Sequence, residues 1–300
     1  MGDWIVQVAG TPEGARLALV LALSSAVFHA IFGAMQKGRF DPFLVRGAID
    51  AWLVVLSAPI ALFLVPWPEP STFVFLTGAI GVHFLYKMTV ALAYQQAAYT
   101  VVYPVIRGTG PVVTVLAAAL LFSEHFNFQQ WVGVACVSGA MILLALRNLR
   151  EEQVDPAGLK RGLIWALFGG IMVAIYTVYD AYAIRQAANP FTFLAWFFFL
   201  TSLDMPIVSM LRVRRLGLRP EVSILVWRGF WGAIIAWASF GGLMLATRLD
   251  KVGEAAVLRE TSPVFAALIG WFILGERVGP RRLALMGLIA LGAVLVEVGS

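Results

Sequence analysis

The side chains able to do chemistry in this sequence are charged and phenolic groups set inside apolar runs. Arg107 stands in VVYPVIRGTGP (101–111), flanked by Pro104 and Pro111, with Tyr103 one helical turn before it. Arg259 and Glu260 stand in VLRETSP (257–263), just ahead of Pro263. Asp180 follows Tyr176 by four residues and Tyr179 by one; His83 precedes Lys87 by four, with Tyr86 between them; His29 precedes Gln36 by seven. Residues three, four and seven apart share one face of a helix. The spacings therefore predict small polar faces, candidates for substrate binding or coupling. The guanidinium of Arg107 can clamp a carboxylate or phosphate through two hydrogen bonds. Asp180, beside two phenols, can hold a cationic group or a proton, and the His83–Lys87 patch an anion or a proton.

Each group has a structural alternative. Arg107 and Glu260 can neutralise one another as an internal ion pair. Lys87 can snorkel towards an interface, Asp180 can be an ion-paired or headgroup-level aspartate, and His29 can be a hydrogen-bonded packing residue. Arg259 and Glu260 are about 100° apart on a helix, so one is expected to face the interior and the other a neighbouring helix. Proline leaves the carbonyl one turn earlier without its donor. Pro104, Pro111 and Pro263 are accordingly expected to break their helices, with irregular backbone beside Arg107. Asp50, Asp204, Arg46 and Arg228 read mainly as structural.

Other chemistries lack their residues. No G-x-x-x-x-G-K-[ST] loop is present for nucleotide phosphates, and no H-E-x-x-H. The three histidines (His29, His83, His125) lie on separate segments, and Cys136 is the one cysteine. No metal, no cofactor and no catalytic residue is expected.

These polar groups need elements that can hold them inside an apolar medium. Of the 300 residues 60% are hydrophobic and 13% charged, and the mean hydropathy is +0.85. Soluble chains carry about a quarter charged residues. The net charge of +5 does not point to nucleic acid, because the basic residues lie in short segments between apolar runs, where lipid headgroups favour them. A span needs about 20 apolar residues, and open strands are excluded from hydrocarbon. The sequence reads as an all-α polytopic membrane protein with ten transmembrane helices, at roughly 16–36, 43–65, 72–94, 98–121, 128–147, 161–183, 191–211, 222–247, 252–274 and 281–298.

The two halves resemble each other. Residues 105–124 displaced by 152 fall on 257–276 without a gap, matching Val105/Val257, Arg107/Arg259, Thr109/Thr261, Pro111/Pro263, Val112/Val264, Leu116/Leu268 and Glu124/Glu276. With five helices in each half the second half must enter the membrane the other way up. Residues 16–148 and 159–298 therefore read as two inverted five-helix repeats, a common build of secondary transporters. Odd-numbered loops hold thirteen Lys and Arg residues against four in the even-numbered loops and termini. That bias places the odd loops in the cytoplasm and both termini outside.

Several stretches together resemble the EamA-like branch of the drug/metabolite transporter (DMT) superfamily, in order and over nearly the whole chain. They are HAIFGAMQK (29–37), the run from HFLYK to AYQQA (83–97), VVYPVIRGTGP (101–111), AIYTVYDAYAIR (174–185) and VLRETSPVFAALIGWFILGER (257–277). The resemblance implies two inverted repeats around a central cavity, and a secondary carrier of amino acids, other metabolites or toxic organic compounds, often an exporter. It also implies cytoplasmic termini, opposite to the charge count.

The expectation is a secondary transporter rather than an enzyme, moving a small metabolite by alternating access, with export favoured. Spans one, three, four, six, eight and nine would line its chamber. Acidic and basic groups together with tyrosines favour an amino acid or related zwitterion. The alternatives are a multidrug or organic-cation efflux carrier and an intramembrane lipid-modifying enzyme. Expected partners are a small-molecule solute and membrane lipids, with no nucleic acid, in a monomer or homodimer of the bacterial inner membrane.

Overall fold

Proline fixes φ near about −65° and lacks an amide hydrogen that the first helical turn does not use; six helices of the computed structural model begin on it. They are α2 (Pro12–Gln36), α3 (Pro42–Pro59), α4 (Pro70–Gln96), α7 (Pro156–Gln186), α8 (Pro190–Thr201) and α13 (Pro280–Val298). The others are α1 (Gly2–Val8), α5 (Tyr99–Leu121), α6 (Phe128–Glu151), α9 (Asp204–Leu216), α10 (Val222–Leu249), α11 (Val252–Arg259) and α12 (Ser262–Phe272). The structure describes residues 2–36, 40–97, 99–151, 156–218, 221–272 and 279–299, and every element among them is helical. Side chains cap several starts; Asp41 accepts from the Phe43 amide, and Asn189 from those of Phe191 and Thr192. Helix α9 stops at Gly217, whose left-handed φ of 61° suits glycine, with Arg214 and Arg215 at the negative end of the helix dipole.

Among the described residues, eight helical segments are long and apolar enough to cross a membrane: α2, α3 with a π-helical extension (Ile60–Leu64), α4, α5, α6, α7, α8 with α9, and α10. The expected ninth segment is instead the two short helices α11 and α12, and the tenth is α13, which carries Arg281, Arg282 and Glu297.

The expectation that prolines distort the fourth segment is corrected. Pro104 and Pro111 both lie inside α5, which runs on uninterrupted. Each removes only one ladder bond, and α5 is held by packing on α6, α7 and α11. The interruption falls in the ninth segment, where Glu260 and Thr261 form a turn (Glu260 φ −73°, ψ 1°) just before Pro263. Pro263 has no amide hydrogen for the Arg259 carbonyl, so the ladder stops there.

Packing brings segments distant in sequence together. Helix α2 lies along α10, α4 along α7, α3 against α9 and α10, and α6 against α13; α11 and α12 both pack on α2. Small residues set the closest approaches. Ala166 and Ala174 are fully buried on α7, and a Cβ on Gly170 between them would sit 2.7 Å from Thr109 Cβ and 2.9 Å from the Ile106 carbonyl of α5. Gly133 of α6 and Gly292 of α13 meet main chain to main chain; a Cβ on Gly133 would sit 2.5 Å from the Gly292 carbonyl. Contacts of this kind bring backbones together in the absence of a hydrophobic drive between helices. The FTFLAWFFF run of α8 faces protein rather than lipid, with Phe193 through Phe198 all buried.

Candidate functional site

Six segments deliver their polar side chains to one interior region. Arg107 of α5 donates from Nη1 to Glu260 Oε1 at 2.6 Å, both side chains being buried. The guanidinium also lies 5.6 Å from the Tyr103 ring centroid, and the Tyr103 hydroxyl is 3.2 Å from Ser262 Oγ at the start of α12. The ion-pair alternative for Arg107 is the one realised.

Arg259 turns the other way from its pair of neighbours only in part. It is 1% exposed, donates from Nη2 to the Tyr176 hydroxyl of α7 at 2.9 Å, and lies 5.5 Å from the Phe240 ring of α10. Glu260 thus pairs with the neighbouring helix α5 and Arg259 bonds to Tyr176 of α7, both side chains being buried. The 100° rule assumes a continuous helix, and the chain leaves helical geometry between Arg259 and Ser262.

Asp180 receives His83 Nε2 at 2.8 Å, joining α7 to α4. The Tyr176 ring, whose hydroxyl accepts from Arg259, lies 4.9 Å from the His83 ring and 4.8 Å from that of Tyr86. Phe197 of α8 covers the other edge of His83 at 4.9 Å. Tyr179 departs from its expected place: its hydroxyl donates to the Phe75 carbonyl of α4 at 2.9 Å, so it braces a helix contact. His29 of α2 sits among rings, 6.5 Å from Tyr103 and 6.0 Å from Phe240, with Nδ1 3.4 Å from Ser239 Oγ. The side chain of Gln36 lies outside the described residues, as does Glu276, the counterpart of Glu124.

Lys87 separates from His83. It neither snorkels nor forms a patch with it, but donates to Asp50 of α3 at 2.9 Å, to Asp204 of α9 and to the Thr201 carbonyl where α8 ends. Arg46 Nε lies 2.9 Å from the other oxygen of Asp50. Asp50 and Asp204 had read as structural; their available signal was their ionisable character inside apolar spans. Ser239 and Phe240 carry no such signal, being indistinguishable in the sequence from ordinary packing residues.

On the side of the bundle where α2 begins, polar contacts tie the helices together. Glu124 accepts from the Val252 and Gly253 amides at 2.7 and 3.0 Å, capping α11, and Gln130 donates to Glu254 at 2.7 Å. Arg185 donates to the Thr247 and Asp250 carbonyls at 2.8 and 2.7 Å. Beneath them Val115 and Val257 belong to one apolar cluster, and Ala118 and Val252 to another. On the opposite side α5 packs on α6 and α7, and α12 on α2 and α13.

Comparison with known proteins places this arrangement. Residues 160–298 match the model of the EamA-like transporter family. An uncharacterized transporter, YdfC, of Bacillus subtilis (strain 168) is 24% identical over 291 residues, covering 92% of this chain and 87% of that protein. A riboflavin transporter of Rhizobium johnstonii (strain DSM 114642 / LMG 32736 / 3841) is 27% identical over 153 residues, half of this chain and 48% of that one. A solved crystal structure superposes with a TM-score of 0.67 at 19% identity, covering 94% of this chain and 96% of that chain, a likeness of fold alone.

Proposed function

We propose that this chain, which belongs to the EamA-like transporter family of the DMT superfamily, is a secondary carrier that moves a small metabolite by alternating access. The observation that carries the reading is the buried Arg107–Glu260 pair at the interruption of the ninth segment. Charged groups inside a bilayer mark pathways by default, and discontinuous helices form solute sites at repeat interfaces in secondary transporters.

The chain is read as ten spans, with 16–148 and 159–298 as inverted repeats. The packing supports this: exchanging first with sixth and third with eighth segments turns the α2–α10 contact into the α7–α4 contact, and both are among the principal ones. The face tied by Glu124, Gln130 and Arg185 carries the even-numbered loops, so the positive-inside bias makes it the outer face of the carrier.

An amino acid or related zwitterion fits a region holding both unsatisfied donors and unsatisfied acceptors: Arg259 Nε and Nη1 on one hand, Asp180 Oδ1 and Glu260 Oε2 on the other. Organic-cation efflux has the aromatic rings and Asp180 in its favour but must place a cation near Arg259. A lipid-modifying enzyme would have to assemble acid, base and nucleophile at a lateral opening.

Reconstituted protein tests the reading. Liposomes preloaded with amino acids should show saturable uptake accelerated by solute on the opposite side, and Arg107→Ala should abolish it. Flux that survives Arg107→Ala with unaltered kinetics removes that residue from the pathway. Covalent change of added lipid without vectorial movement sinks the carrier.

A further inference from the structure

Among the described residues, the lysine and arginines of the interior site are matched to carboxylates with one exception, and so is His83. Arg107 has Glu260, Lys87 has Asp50 and Asp204, Arg46 has Asp50, and His83 has Asp180. Arg259 has no carboxylate partner among the described residues. Its hydrogen-bond partner is the neutral Tyr176 hydroxyl, and its Nε and Nη1 donate to nothing while the side chain is 1% exposed.

We infer that Arg259 is the receptor for a carboxylate carried by the transported solute, an assignment that rests on the carrier reading above. A buried guanidinium never loses its proton, so the charge must be met by an anion or by dipoles. The carbonyl end of α11, on which Arg259 sits, supplies a dipole of the right sign but only a fraction of a charge. Each edge of a guanidinium includes either Nε or Nη1, so whichever edge faces the solute keeps a free donor, and a carboxylate accepts from such an edge bidentately. Arg107 does not serve this purpose here, because Glu260 already holds its Nη1. The division is between a paired arginine that ties α5 to the ninth segment and an unpaired one that waits for charge. The unsatisfied Asp180 Oδ1 and Glu260 Oε2 are left to accept from donors elsewhere on the same solute. The Phe240, Tyr176 and Tyr86 rings provide its apolar wall.

Three phenyl probes of similar size test the assignment on the full chain in nanodiscs, without any need for transport: benzoate, its neutral isostere benzamide, and the cation benzylamine. Benzoate should bind at least tenfold more tightly than the other two and raise the apparent melting temperature. Arg259→Gln should erase that preference, and Arg259→Lys should keep part of it. With its lone uncompensated charge removed, Arg259→Gln should melt no lower than the parent. Equal binding of benzoate and benzamide by the parent chain, a preference for benzylamine, or a benzoate preference that persists in Arg259→Gln overturns the assignment. Benzoate preference without flux of any solute in liposomes would instead keep the anion receptor and overturn the carrier. Vigorous flux indifferent to Arg259→Gln would do the reverse.

Discussion

Arg107 and Glu260, 153 positions apart in the chain, share a 2.6 Å contact with each side chain only 4% exposed. The pair ties α5 to the turn between α11 and α12, so its strength and the shape of the ninth segment depend on each other.

Removing one member should therefore hurt more than removing both. Arg107→Ala leaves the Glu260 carboxylate buried and unpaired, which costs about 3–5 kcal/mol. The double variant Arg107→Met/Glu260→Leu should recover most of that stability while remaining without flux. Thermal unfolding in detergent and liposome uptake measure the two effects separately; a double variant no more stable than Arg107→Ala would mean that the pair is not what Arg107 contributes.

Lys87 should behave as a structural cation. Lys87→Met strands the Asp204 carboxylate and leaves Asp50 with Arg46 alone, so a loss of about 3–5 kcal/mol is expected. Adding Asp204→Asn should restore part of it. His83→Gln, which can still hydrogen-bond Asp180, should lose far less stability. Unfolding curves for the three variants check the order.

The Glu124 carboxylate caps α11 on one face of the bundle, and the carrier reading makes that contact part of the outer seal. Glu124→Ala should cost about 1 kcal/mol at the cap and favour opening by about fivefold. With Cys136 replaced by alanine, a Val252→Cys probe on that capped turn should react correspondingly faster with a membrane-impermeant maleimide. Unchanged labelling would show that the seal lies elsewhere.

Membrane orientation can be read with the same reagent. His125 and Arg215 are both exposed, on opposite ends of the bundle. In intact cells His125→Cys should label and Arg215→Cys should not. The opposite pattern would mean that the thirteen-to-four bias of basic residues does not set the topology and that the termini are cytoplasmic.

Apolar run length made the helical segments legible, because hydrocarbon thickness limits each one independently of its neighbours. The meeting of segments one, three, four, six, eight and nine was also legible in outline, since Arg107, Asp180 and His83 had nowhere else to hide. Their partners were not. Lys87 finds Asp50 and Asp204 at separations of 37 and 117 residues, and no local spacing encodes such pairings. Tyr179 was placed on the wrong face because i,i+1 neighbours of Asp180 diverge by about 100°. The interruption at Glu260 was displaced from the prolines of α5 for a different reason: proline removes a hydrogen bond, and the surrounding packing decides whether the helix gives way.

The glycine crossing of α6 and α13 has its own consequence for motion. With Gly133 and Gly292 touching through their main chains, rotating either helix would drive a side chain into the backbone of the other. These two therefore form a fixed keel, and in the carrier proposed above any rocking would fall to the segments hung beside it.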